Sequence, residues 1–113
     1  MDSILTSIKK LIGSPEEYEH FDTDIIIHIN TAFNTLTQLG VGPEEGFRIS
    51  DATAIWDDFI DTSDTILYEA VKTYIYLRVK LIFDPPNSGA TIGIFKETIK
   101  ELEWRLNVTA DEG

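Results

Sequence analysis

The chain contains no cysteine, only two histidines, and nine basic side chains against twenty acidic ones in its 113 residues. The lack of cysteine excludes disulfides, thiolate chemistry and cysteine-ligated zinc sites. The formal net charge of -11 opposes contact with nucleic-acid phosphates, so conventional DNA or RNA binding is disfavoured. The simplest interpretation of this acidity is that it keeps the protein soluble.

Long apolar runs are missing as well. The longest uninterrupted ones span a few residues, which is too short to cross a membrane. The N-terminal residues alternate apolar and polar side chains at helical spacing, so we expect no secretory signal and synthesis in a cytoplasm. The apolar fraction of 42% is nevertheless sufficient for one hydrophobic core, and the length predicts a single domain over residues 1–113.

The most strongly patterned segment is Tyr68–Phe83, which we predict to be the central helix of the fold. Asp64 or Thr65 can cap its start, and the two prolines after Asp84 end it because proline cannot donate the next helical hydrogen bond. Its apolar side chains recur at steps of three and four residues in two adjacent stripes, made of Leu67, Ala70, Val71, Tyr74, Leu77, Leu81 and Ile82 and of Ile75, Val79 and Phe83. Such a wide apolar surface requires cover on more than one side.

Two further helical patterns precede the central helix. Residues 1–12 predict an amphipathic first helix, which Gly13 can end in a left-handed conformation. A second helix is predicted from about Thr23 to Leu39, with Asp22 as its cap and Phe21 packed back on Ile26. The predicted core face of this second helix consists of Ile25, Ile26, Ile29, Ala32, Phe33, Leu36 and Leu39.

A final helix can start after a cap at Asn87 or Ser88. We expect residues 108–113 to form a frayed acidic tail beyond it. The apolar residues of this helix form a narrow seam of Ile92, Phe95, Ile99, Leu102 and Leu106.

Residues 41–63 have no clear period, because glycines, Pro43 and several aspartates interrupt every long window. Phe47–Ile49 alternates like a short strand, and Ile55–Ile60 suggests a short helix, but a small hairpin of residues 47–49 and 53–56 is an alternative. The predicted fold class is therefore all-α. It is a small antiparallel bundle of four to five helices around a central helix, with an irregular segment near 41–63.

Patterns that would indicate catalysis or metal binding are weak. Glu17 and His20 have the Glu-x-x-His spacing of di-metal sites, but such a site needs a second pair on another helix, and the sequence contains none. Asp24 and His28 are one turn apart, which a contact at a helix start explains better. No nucleophile elbow or glycine-rich phosphate loop is present. We therefore predict no catalytic, cofactor or metal site, and no enzyme activity.

Two aromatic residues are candidates for contact with another subunit or protein. Trp104 lies off the seam of the final helix, so it either widens that face or packs on a neighbouring subunit. Tyr76 belongs to a narrow strip on the central helix that faces solvent or a partner, together with Glu69, Lys72, Thr73 and Lys80.

Several segments resemble the small head-tail connector proteins of tailed bacteriophages. The resemblance is carried by VKTYIYLRVKLIFDPP at 71–86 and IKELEWRLN at 99–107, and also by FDTDIIIHIN and QLGVGP after the opening helix. It implies an all-helical adaptor that assembles as a ring on the portal and extends the DNA channel. Such an adaptor offers a surface to the next head-completion or tail protein, and it has no catalytic activity and no cofactor.

The same resemblance implies the partners and the location. The partners are further copies of the chain in a dodecamer-like ring, the portal protein, and a downstream stopper or tail protein, while DNA passes through without specific binding. The location is the head-tail interface of the virion, after synthesis in the bacterial host cytoplasm and without a membrane. We expect acids outside the long helices to line the channel, namely Glu44, Glu45, Asp57 and Asp58, with Asp51 and Asp61 as further candidates. The alternative function is a small acidic binding protein, either a DNA mimic or an inhibitor of a nucleic-acid enzyme.

Overall fold

A computed structural model of the chain describes residues 2–112, without the side chain of Glu112. The described residues form four α-helices and one turn of 3-10 helix, and they contain no strand, only an isolated bridge between Ser3 and Ile55. The all-α prediction is confirmed. The helices are α1 (Ile4–Ile12), α2 (Asp22–Gln38), α3 (Thr65–Phe83) and α4 (Gly89–Glu112), and the 3-10 turn is Trp56–Asp58.

Helix α1 begins and ends on local signals. The Ser3 hydroxyl accepts a hydrogen bond from the Thr6 amide at 3.1 Å, which caps the first turn. Gly13 ends the helix with a φ of 83°, so the prediction of a left-handed glycine is confirmed. The face of α1 that enters the core consists of Ile4, Leu5, Ile8 and Ile12.

Helix α2 begins one residue earlier than predicted, and Asp22 is not its cap. Phe21 occupies the capping position without a side-chain hydrogen bond, and Asp22 is the first helical residue. The prediction was wrong because the Asp22 carboxylate has a different partner, the buried ammonium of Lys9 at 2.8 Å. The Phe21 ring meets Phe83 edge-on, with 5.4 Å between ring centroids, which joins the start of α2 to the end of α3.

Helix α3 is central, as predicted, since it packs against α1, α2 and α4. The Asp64 carboxylate caps it by accepting from the Leu67 amide at 3.2 Å, and the helix ends at Phe83 before the prolines. Tyr74 bonds to Glu103 of α4, while Leu67 and Leu106 line one groove, so α3 and α4 run antiparallel. The buried residues of α3 are Val71, Tyr74, Ile75, Leu77 and Val79.

The segment between α2 and α3 forms neither the predicted strand nor the alternative hairpin. The Asn30 side chain bonds to both backbone groups of Ile49, at 2.8 and 2.9 Å, and thereby replaces a strand partner. The Ile4 amide donates to the Ala54 carbonyl at 2.9 Å, which ties the segment to α1. The predicted short helix at 55–60 is only the 3-10 turn Trp56–Asp58, whose tryptophan is fully buried.

Helix α4 continues through residues 108–112, where a frayed tail was expected; Gly113 lies outside the described residues. Two contacts near its end account for this order. The Asn107 amide donates to the Leu39 carbonyl at 3.2 Å, and Ala110 packs against the core. Of the predicted seam only Leu106 is fully buried, while the other four residues are half-buried.

Candidate docking surfaces

The outward side of α4 exposes two large apolar side chains. Trp104 is 67% exposed and Ile94 is 64% exposed, on the side of the helix that α3 does not cover. Glu97 and Trp104 are seven residues apart and therefore lie on one helical face. We call this surface the outer face of α4; its members are Ala90, Gly93, Ile94, Glu97, Glu101 and Trp104.

The two tryptophans of the chain lie in opposite environments. Trp56 is fully buried, and its indole N–H donates to the Ser7 hydroxyl at 3.1 Å. Trp104 is largely exposed, and the described residues give its indole no hydrogen-bond partner. The sequence argument that Trp104 stands apart from the seam agrees with this position, and its contact role stays a prediction.

Tyr76, the second candidate for contact, is half-buried and packs against the core. The sequence prediction, which placed Tyr76 in the polar strip of α3, therefore missed its contribution to the packing of the fold. Trp104 is the more exposed of the two aromatic candidates, so it offers a partner more contact surface than Tyr76 does.

The six candidate channel acids are all exposed, but they differ in what holds them. Asp51 and Asp61 accept hydrogen bonds from Thr53 and Ser63, and these bonds lower the pKa of both carboxyls. Asp58 accepts from the Ile55 amide at 3.0 Å, and Asp57 accepts from the Thr62 hydroxyl. These four aspartates stabilise the turns of the segment, a role that their position in a poorly patterned stretch did not predict.

Glu44 and Glu45 are different, because no side-chain hydrogen bond or ion pair within the described residues engages either carboxylate. Both follow Pro43 in a turn after α2. Glu45 lines an open groove together with Asn34 and Arg48. The structure does not bring these glutamates together with Trp104 or Tyr76 into one site.

A polar network that sequence reasoning missed joins three helices. The Tyr74 hydroxyl donates to a Glu103 carboxylate oxygen at 2.7 Å and accepts from the Arg78 guanidinium at 3.0 Å. The same Arg78 nitrogen donates to the Thr35 hydroxyl at 2.7 Å. Burial, followed by the bond to Glu103, raises the pKa of Tyr74 to about 12. The network fixes α2, α3 and α4 relative to one another.

A second missed feature is the buried ammonium of Lys9. The side chain is 2% exposed; its ammonium donates to the carbonyls of Glu16 and Tyr18 at 2.8 and 2.9 Å and forms the ion pair with Asp22. A signal existed in the sequence, because Lys9 stands between Leu5 and Ile12 at helical spacing, on the apolar face of α1. A lysine in that position must find internal oxygen partners or leave the core.

The patterns considered for metals form no site in the part of the chain that the structure describes, where no cluster of three or more ligating side chains occurs. His20 of the Glu-x-x-His pattern stacks edge-on against Phe21, with ring centroids 4.7 Å apart. The helices within residues 2–112 also include none with the length and apolarity needed to span a membrane.

Comparison with protein-family models decides the class of protein. The model of the phage connector protein family matches residues 4–113, nearly the whole chain. The chain belongs to the phage connector protein family. This match confirms the resemblance that the sequence segments indicated. Connectors are structural proteins of the bacteriophage particle and contact other head or tail proteins. Neither curated proteins nor solved structures show a significant match to the chain.

Proposed function

We propose that this connector assembles as a ring on the portal, extends the DNA channel and joins the head to the next protein of the tail. The observation that carries the proposal is the family match over residues 4–113. The outer face of α4 supports it, because an indole that is 67% exposed is unusual unless a partner covers it.

The proposed contact is Trp104 against a neighbouring subunit or the portal. Trp104→Ala should change the free energy of unfolding by less than about 1 kcal/mol, because the side chain has few contacts to lose. It should nevertheless prevent attachment to purified heads that carry the portal but lack this protein. Ile27→Ala, on α2, is a matched control because Ile27 is also exposed, at 55%.

Tryptophan fluorescence supplies an independent readout of the same contact. To separate its emission from that of the head proteins, the chain is labelled with 7-azatryptophan, which is excited at a longer wavelength than tryptophan. Trp56 is buried in the free subunit, so a change in the emission of the label on adding portal-bearing heads reports mainly on position 104. A blue shift is expected when the indole leaves water. Unchanged emission together with wild-type attachment of Trp104→Ala would show that another surface docks.

For the channel, we propose that acids of the segment between α2 and α3 face the lumen. Exposed carboxylates offer phosphates no cationic partner, so DNA can slide past them. Their exposure supports this orientation, although Asp57 and Asp58 also hold turns. Glu44 and Glu45 are the better test positions, because their replacement breaks no side-chain bond of the described residues.

A further inference from the structure

The loop between α1 and α2 is held in place from inside the protein. The Lys9 ammonium bonds to the carbonyls of Glu16 and Tyr18 in the middle of the loop and pairs with the Asp22 carboxylate at the start of α2, so the loop backbone and the first residue of α2 converge on one buried charge. A buried ammonium is costly unless its hydrogen bonds are all made, which opposes movement of these partners. The side chains on the outside of the loop are thus presented in a fixed arrangement.

Those outer side chains form an aromatic surface rimmed by carboxylates. The rings of Tyr18 and Phe21 are 5.9 Å apart and are 47% and 39% exposed, and His20 contacts both rings. Glu17 and Glu19 flank Tyr18 and are exposed. Within the described residues neither glutamate has a cationic partner, in contrast to Asp22. We call residues 17–21 the loop surface.

A pair of lysines on helix α4 carries charge opposite to that of the loop surface. Lys96 and Lys100 are one helical turn apart and both exposed, and no carboxylate within the described residues pairs with them. Like charges at this spacing destabilise a helix by about 0.2–0.5 kcal/mol. Two neighbouring lysines without ion pairs therefore need an explanation in a chain with a net charge of -11.

From these two surfaces we infer that neighbouring copies of the chain pack head to tail, with Lys96 and Lys100 of one copy on the loop surface of the next. The inference rests on the proposed ring and names the surfaces that close it. Subunits of net charge -11 repel one another, so a ring needs local contacts of opposite sign. An ammonium fits this loop surface in particular, because aromatic faces and carboxylates both attract it. Contacts between two different surfaces are also the kind that close into rings.

Charge reversal on each surface tests the inference. The loop variant is E17K/E19K, the helix variant is K96E/K100E, and the combined variant carries all four changes. Copies bound per portal-bearing head are measured at one protein concentration. Each two-residue variant should bind about tenfold less than wild type, the effect of roughly 1.4 kcal/mol. The combined variant should recover, because its two surfaces are again opposite in charge.

Two controls separate this contact from general effects. D24K/D111K makes the same change in net charge as the loop variant, at exposed acids that belong to neither surface, and should bind heads like wild type. Circular dichroism and the thermal midpoint are measured for every variant, and E17Q/E19Q or K96Q/K100Q replaces a reversed variant that does not fold. High salt should weaken wild-type assembly, since exposed charges are screened.

The outcomes are distinct. Wild-type binding by either two-residue variant overturns the inference, and so does a folded combined variant that binds no better than its parents. In both cases the proposed ring stands on other contacts. Failure of the wild-type chain to attach to heads would instead overturn the proposed function.

Discussion

Removal of the Tyr74 hydroxyl should loosen three helices without opening a cavity. Tyr74→Phe keeps the buried ring but deletes the bonds to Glu103 and Arg78, which measure 2.7 and 3.0 Å. A hydrogen bond to a charged group contributes about 1.5–3 kcal/mol. Both charged partners are half-buried and can regain water in part. We therefore expect the free energy of unfolding to fall by about 2 kcal/mol at neutral pH.

The same hydroxyl makes the stability of the fold depend on alkaline pH. The pKa of Tyr74 is raised from 10.0 to about 12, so the folded state holds this proton more tightly than the unfolded state. Its contribution is complete below the unfolded pKa and is lost as pH rises between the two values. The loss amounts to about 1 kcal/mol midway through this window and about 3 kcal/mol above it.

Urea unfolding followed by circular dichroism measures both effects. Wild type, Tyr74→Phe and the exposed control Tyr18→Phe are compared at neutral pH and at about one unit above the ordinary tyrosine pKa. Wild type and Tyr18→Phe should lose more stability on alkalinisation than Tyr74→Phe does. Equal losses in all three proteins would refute the raised pKa. A Tyr74→Phe protein as stable as wild type at neutral pH would refute the network.

The remaining predictions use other contacts. Lys9→Met should lower the free energy of unfolding by about 3 kcal/mol or more in denaturant titration, because Asp22 and two carbonyls lose their buried partner. A loss below about 1 kcal/mol would contradict a stabilising role of the buried Lys9 ammonium. Gly42→Ala should lower the thermal midpoint of the protein far more than Gly13→Ala. Both glycines have positive φ, but only at Gly42 would a Cβ lie 2.3 Å from a Phe59 ring atom. Equal thermal midpoints of the two variants would argue against that close approach. E44K/E45K should remain folded and acquire salt-sensitive affinity for duplex DNA in a filter or mobility assay, and particles with it should eject DNA abnormally; wild-type ejection would place these glutamates away from the channel.

The helices were predictable because their signals are local. The apolar period of α3, its Asp64 cap and the prolines after Asp84 all act within a few residues of the chain. Gly13 ends α1 by its own backbone freedom. A single sequence contains such information directly, and the central position of α3 followed from the width of its apolar surface.

The errors arose where a distant residue decides the structure. Asp22 is a residue type that commonly caps helices, but its carboxylate forms an ion pair with the buried Lys9 ammonium instead. Phe47–Ile49 has the alternation of a strand, yet the Asn30 amide satisfies the Ile49 backbone in place of a second strand. The short-range pattern is unchanged in either case, so only the folded arrangement of α1 and α2 reveals the competing partner.

The candidate site was predictable only in part, for the same reason. Trp104 could be separated from the seam of α4 by its spacing, and its exposure agrees. The turn-forming roles of Asp57 and Asp58 depend on Thr62 and on the Ile55 amide, which composition does not identify as their partners. Composition likewise cannot distinguish an aspartate that closes a turn from a glutamate that faces open solvent.

The bond between the Ile4 amide and the Ala54 carbonyl bears on the order in which the chain acquires structure during its synthesis. Helix α1 leaves the ribosome before the other three helices, but it has nine residues and is too short to persist alone in water. Its amide partner at Ala54, the indole of Trp56 and the covering helix α3 are all translated later. We therefore expect the nascent chain to expose the apolar face of α1 until α3 has emerged and can cover it.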